Sequence, residues 1–70
     1  MLNTFYVIVA TLPSDELKFV GKDENSGGYP YLSDYAQIYY DDKYFEALKK
    51  YIHESFVLKD LQLKPINLGM

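Results

Sequence analysis

Asp41-Asp42-Lys43-Tyr44-Phe45-Glu46-Ala47-Leu48-Lys49-Lys50-Tyr51-Ile52-His53-Glu54 decides the fold class. Tyr44, Phe45, Leu48, Tyr51 and Ile52 recur at spacings of three and four, with Lys43, Glu46, Lys49, Lys50 and His53 opposite, so the stretch reads as one amphipathic helix from about Asp42 to Glu54. Asp41 or Asp42 caps it and lies at the positive end of its dipole. Phe45, Leu48 and Ile52 are its packing residues.

Everything around this helix has the period of a strand. Downstream, Leu61 and Leu63 alternate with Asp60, Gln62 and Lys64, which predicts a final strand near residues 60 to 66. Pro65 cannot donate to a ladder, so that strand belongs at an edge or ends there. Upstream, Ala36, Ile38 and Tyr40 alternate with Tyr35, Gln37 and Tyr39, which reads as a third strand. Tyr29-Pro30-Tyr31-Leu32 is extended, because proline excludes the residue before it from helical backbone, and Ser33-Asp34 reads as a turn.

Lys22 to Gly28 holds no apolar residue and reads as an exposed loop. Leu17 and Phe19 flank Lys18 in a short second strand ending at Gly21. Leu12-Pro13-Ser14-Asp15 turns the chain back to the first strand, the unbroken apolar run Phe5-Tyr6-Val7-Ile8-Val9-Ala10. Such a run suits a strand covered on both faces or central in its sheet. The expectation is a single α+β domain over residues 1–70, an antiparallel sheet of three or four strands in the order ββ(β)αβ with one helix on one face.

Composition narrows the function. With 70 residues and no cysteine, the chain has neither disulfides nor thiolate zinc sites to staple a small core, so self-association, most simply as a symmetric homodimer, is expected. All seven basic residues are lysine and the net charge is −3, which disfavours sequence-specific nucleic-acid binding. No apolar run reaches the roughly 18 to 20 residues that span a bilayer, and Met1-Leu2-Asn3-Thr4 lacks the basic start of a signal peptide. The expected setting is cytoplasmic, without membrane partners.

Catalytic and metal motifs are weak. Asp23, Asn25, Gly28 and Asp34 have the spacing of a calcium loop, yet Gly27 replaces an oxygen donor, Asp34 stands where glutamate is usual, and no flanking helices are in reach. His53 has no cysteine to activate, and Ser14, Ser26, Ser33 and Ser55 sit at turns or helix ends outside any nucleophile elbow. The reading is a non-enzyme with no metal or cofactor.

Two binding surfaces are left. Tyr29, Tyr31, Tyr35, Tyr39, Tyr40 and Tyr44 fall within 16 residues, among Asp34, Asp41 and Asp42. Core and cross-strand pairing absorb about half of these rings. The others form an acidic aromatic surface, and Tyr29, Tyr31, Asp34, Tyr35 and Tyr39 are the expected contacts with a protein partner. Alternatively Ser26, Gly27 and Gly28 offer backbone N–H groups to a phosphate beside Lys22, with a tyrosine stacked on a nucleotide base.

The string Phe19-Val20-Gly21-Lys22-Asp23-Glu24-Asn25-Ser26-Gly27-Gly28-Tyr29-Pro30-Tyr31, followed by Ala36, Tyr39 and Glu46-Ala47, resembles small uncharacterised proteins encoded by phages of Gram-positive bacteria. The resemblance runs over roughly residues 5 to 66, and Gly27 to Tyr31 is its most specific part. It implies no catalytic residues. It implies a compact accessory protein that binds a host or anti-phage defence protein or sequesters a small nucleotide signal.

Overall fold

The computed structural model describes residues 4–67. Its elements are β1 (Thr4–Thr11), β2 (Leu17–Asp23), a 3-10 turn (Glu24–Ser26), β3 (Tyr29–Ser33), α1 (Lys43–Ser55) and β4 (Asp60–Asn67). One antiparallel sheet runs in the order β3-β2-β1-β4. This is the expected α+β fold with its four strands and single helix.

The apolar run of β1 is central in the sheet and sorts its side chains by parity. Ile8 and Ala10 join Val20, Tyr39, Phe45, Leu48 and Ile52 in one buried cluster, with Tyr6, Leu32, Leu61 and Leu63 packed at its margin. Phe5, Val7, Val9 and Thr11 therefore point to the other face, which no helix covers among the described residues. Tyr6 and Ile8, and not Val7 and Val9, are thus the β1 side chains on the side of the core that α1 completes.

Backbone parity also explains the edges. Ala10 pairs with Lys18, and the Lys22 N–H is turned to the same inner side, where it donates to Gln37. Lys22 and Pro30 then form a pair without mutual hydrogen bonds, and the Pro30 nitrogen faces outward from β3. Tyr6 exchanges its hydrogen bonds with Tyr39 and so turns its groups away from its β4 partner, Pro65, whose nitrogen likewise faces outward. Both edge strands thus present a proline where a free N–H would invite another strand.

Three expectations are corrected. The second strand does not end at Gly21 but runs to Asp23, because the glycine gives the Tyr31 ring room and the ladder with β3 continues through Lys22 with Pro30 and Asp23 with Tyr29. The exposed loop shrinks accordingly to the 3-10 turn and two glycines, Gly27 and Gly28, both at positive φ. The third strand is Tyr29–Ser33, and residues 35 to 40 contribute only a single bridge, Tyr6 to Tyr39. The reason is a split in the sheet. β1 and β2 pair at only three positions, Val9 with Phe19, Ala10 with Lys18 and Thr11 with Leu17, and the segment carrying Tyr39 fills the gap beyond them.

Candidate partner-binding surface

The gap in the sheet strands polar groups of β2 that a neighbouring strand would normally satisfy. The Lys22 N–H donates to Gln37 Oε1 at 2.8 Å, and the Val20 carbonyl accepts from the Tyr39 hydroxyl at 3.0 Å. On the other side, Tyr39 and Tyr6 exchange two backbone bonds of 2.8 Å. A segment lacking strand geometry is therefore bonded to both strands at once, which removes the cost of buried unpaired groups.

The same segment is tied down at its ends. Lys18 Nζ meets Asp34 Oδ1 at 2.5 Å, the Tyr35 N–H donates to Ser33 Oγ at 3.0 Å, and the Lys43 N–H donates to Asp41 Oδ1 at 3.0 Å. Asp42 sits at the N-cap position of α1 without a side-chain cap bond, so Asp41 does the capping. Between these ties, Tyr35 is 84% exposed and Tyr40 77% exposed. The Tyr40 ring rests edge-on against Phe5 with centroids 5.2 Å apart.

The expected contact set divides. Tyr39 is core, 7% exposed and stacked on Tyr44 with centroids 5.5 Å apart. Burial pushes its hydroxyl pKa well above the usual tyrosine value. Tyr29 and Tyr31 are exposed on β3, on the side of the sheet away from buried Pro30. Asp34 and Tyr35 lie beyond the opposite end of that strand from Tyr29. Tyr40, placed in a strand by its alternation, is an exposed ring that the sequence reading did not select; its position directly before the capping aspartates is the signal that could have singled it out.

The alternative ligand set does not converge. Lys22 Nζ pairs with Glu24 Oε1 at 3.2 Å and stands 5.3 Å from the Tyr44 ring centroid, in a cleft of about 590 Å³ beside Tyr40 and Asp41. Gly27 and Gly28 border a different hollow of about 370 Å³, with Tyr29, Tyr51 and Glu54. The Gly28 N–H donates to the Asp23 carbonyl, and the Gly28 carbonyl accepts from the Tyr44 hydroxyl at 2.6 Å. Asp23 Oδ1 accepts from the Asn25 N–H and Oδ2 from the Ser26 hydroxyl. Asp23 and Asp34 lie at opposite ends of β3, on the order of 15 Å apart at 3.4 Å per residue. The calcium spacing therefore does not bring its ligands together. Among the described residues no three His, Asp or Glu side chains form a metal-holding group, and no helix is long and apolar enough to cross a membrane.

No family model matches the chain, and neither the curated proteins nor the solved structures give a match.

Proposed function

We propose that the chain is a non-enzymatic binding protein that covers a surface of a partner protein, with the connection from Asp34 to Asp42 as its contact and Tyr35 and Tyr40 as anchors. One observation carries this reading: a segment bonded to two strands and to the start of α1 holds two rings more than three-quarters exposed. Rigidly mounted tyrosines give contact area at small ordering cost. Asp41 and Asp42 beside Tyr40 have no ion-pair partner among the described residues, whereas Asp34 is paired with Lys18, so the partner surface is basic, such as one that ordinarily meets nucleic acid. Tyr29 extends the aromatic area along β3, whereas Tyr31 lies over Gly21 on the sheet face, and Tyr39 serves as the internal anchor instead of a contact.

The resemblance around Gly27 to Tyr31 supports a host or anti-phage defence protein as the partner class, met in the cytoplasm of the host cell. The nucleotide reading has less behind it, since Lys22 and the glycines border separate hollows and the Gly28 N–H is already bonded.

Affinity capture from a Gram-positive host lysate tests the proposal. A stoichiometric protein partner is expected with the unaltered chain and with Lys49→Ala/Lys50→Ala on the outer face of α1. Tyr35→Ala and Tyr40→Ala each weaken the complex by about 2 kcal/mol or more, roughly thirtyfold, with the fold retained. Equal capture by the tyrosine variants, or a nucleotide-specific thermal shift in place of a protein partner, refutes it.

A further inference from the structure

The sheet face turned away from α1 is apolar in three of its four strands. Register sets it out in rows: Leu17, Thr11 and Asp60; then Phe19, Val9 and Gln62; then Val7 and Lys64, level with the Tyr31 ring that lies over Gly21; then Phe5 and Ile66. Leu17 is 61% exposed and Tyr31 45%, while Phe5, Val9, Phe19 and Ile66 are half-buried. A shallow hollow of about 350 Å³ runs between Val7, Val9, Phe19 and Ile66. An antiparallel sheet with one solvated face normally turns polar residues outward. Here β1 is apolar on both sides.

Three charges lie on this face: Asp23, at the end of β2, accepts hydrogen bonds from Asn25 and Ser26, while Asp60 and Lys64 stand two positions to either side of Gln62. Their separation along the strand is about 13 Å, too far for them to pair within one chain. Neither has an ion-pair partner among the described residues.

We infer that this face is covered by a second copy of the chain, sheet against sheet, about a two-fold axis that lies in the interface and crosses the strands at Gln62. That operation reverses each strand over its own copy. Val9 and Phe19, in the row of the axis, meet the same residues of the second copy; Leu17 meets Tyr31; Asp60 meets Lys64, twice. Sheets stack about 10 Å apart, within reach of a lysine and an aspartate extended toward each other. The pattern is self-complementary, as a two-fold interface requires.

Three further observations favour a second copy over another occupant. The outward prolines at Pro30 and Pro65 each remove a donor from their edge and disfavour strand addition there, which favours the face as the route of association for the sheet. Four strands about 4.8 Å apart and some seven residues long give a flat footprint of roughly 400 Å², to which the exposed Leu17 and Tyr31 add, against the 600 Å² or so per copy of a small stable interface. Burial of this face adds to the stability of a small core without disulfides, and copies of the chain are always present. The inference does not depend on Tyr35, which lies outside the rows of this face, so Tyr35→Ala leaves the dimer intact and the two proposals fail separately.

Sedimentation equilibrium on the full chain at micromolar concentration tests it. The expected species has twice the 8.2 kDa chain mass. Leu17→Asp yields a monomer whose circular dichroism keeps its helix and sheet. Asp60→Lys and Lys64→Asp each raise the dimer dissociation constant about tenfold or more, and the double variant restores it to within a few-fold of the original. A folded monomer at about 100 μM overturns the inference, as do single charge reversals without effect or a double reversal that fails to restore association.

Discussion

The Tyr39 hydroxyl donates to the Val20 carbonyl inside the core, and its ionisation is coupled to folding as a result. Burial pushes the Tyr39 pKa up; it does the same for Tyr44, where a hydrogen bond with Tyr51 adds to the effect. A tyrosine with a raised folded pKa leaves stability unchanged below its unfolded value near 10 and lowers it as pH climbs through and beyond that value, because the unfolded chain releases the proton first. Lys18, held protonated first by Asp34 and then by Glu16, acts in the same direction but sits at the surface against exposed carboxylates and adds little. Urea midpoints should therefore be flat up to about pH 9 and fall toward pH 11. Tyr39→Phe strands the Val20 carbonyl and should cost about 1–3 kcal/mol at neutral pH, with a shallower alkaline fall. An unchanged midpoint would remove Tyr39 from the account. Gly21→Ala sets a Cβ 2.4 Å from Tyr31 Cζ, so the ring must swing away. A double-mutant cycle with Tyr31→Ala should return a coupling of about 0.5 kcal/mol or more, since the smaller side chain leaves room for the new methyl. At this scale the sequence offers the alternation of Gln37 and Tyr39, but which side of it turns inward depends on two stranded groups of β2, Val20 C=O and Lys22 N–H, and no pattern along the chain reports those.

The helix was the most legible element because five apolar residues keep its period, and its observed bounds, Lys43–Ser55, lie within one residue of those expected. Leu48 is fully buried against the sheet. Leu48→Ala should cost about 2–5 kcal/mol in chemical unfolding, a large part of a small domain's stability; a change below 1 kcal/mol would place the packing face elsewhere. β4 was equally readable, since alternation and Pro65 together specify an edge strand. Pro65→Thr restores an outward N–H and should raise concentration-dependent light scattering; unchanged scattering would show that the proline does not guard that edge. The middle of the chain was harder. Residues 29 to 33 and 35 to 40 are both short and tyrosine-rich, and local propensity favours each as a strand. The choice falls to long-range pairing: Val20 with Leu32 and Gly21 with Tyr31 build β3, while the second segment meets only Tyr6.

Across the whole molecule, one split in the sheet organises the surfaces. Where β1 and β2 part, the chain between β3 and α1 enters the gap, and the interior it completes includes Tyr39 stacked on Tyr44. Rings that do not fit the interior, Tyr35 and Tyr40, are left outside on a fixed mount. Binding through them requires that mount to be part of the folded core and not a loop that opens by itself. Native-state amide hydrogen exchange tests this most directly. The amides of Lys22 and Tyr39 donate to Gln37 and Tyr6 and should exchange within about tenfold of those of Val7 and Val9, which β4 protects, because all of them open only when the sheet does. Exchange at Lys22 and Tyr39 faster by several orders of magnitude, with Val7 and Val9 still slow, would contradict the account.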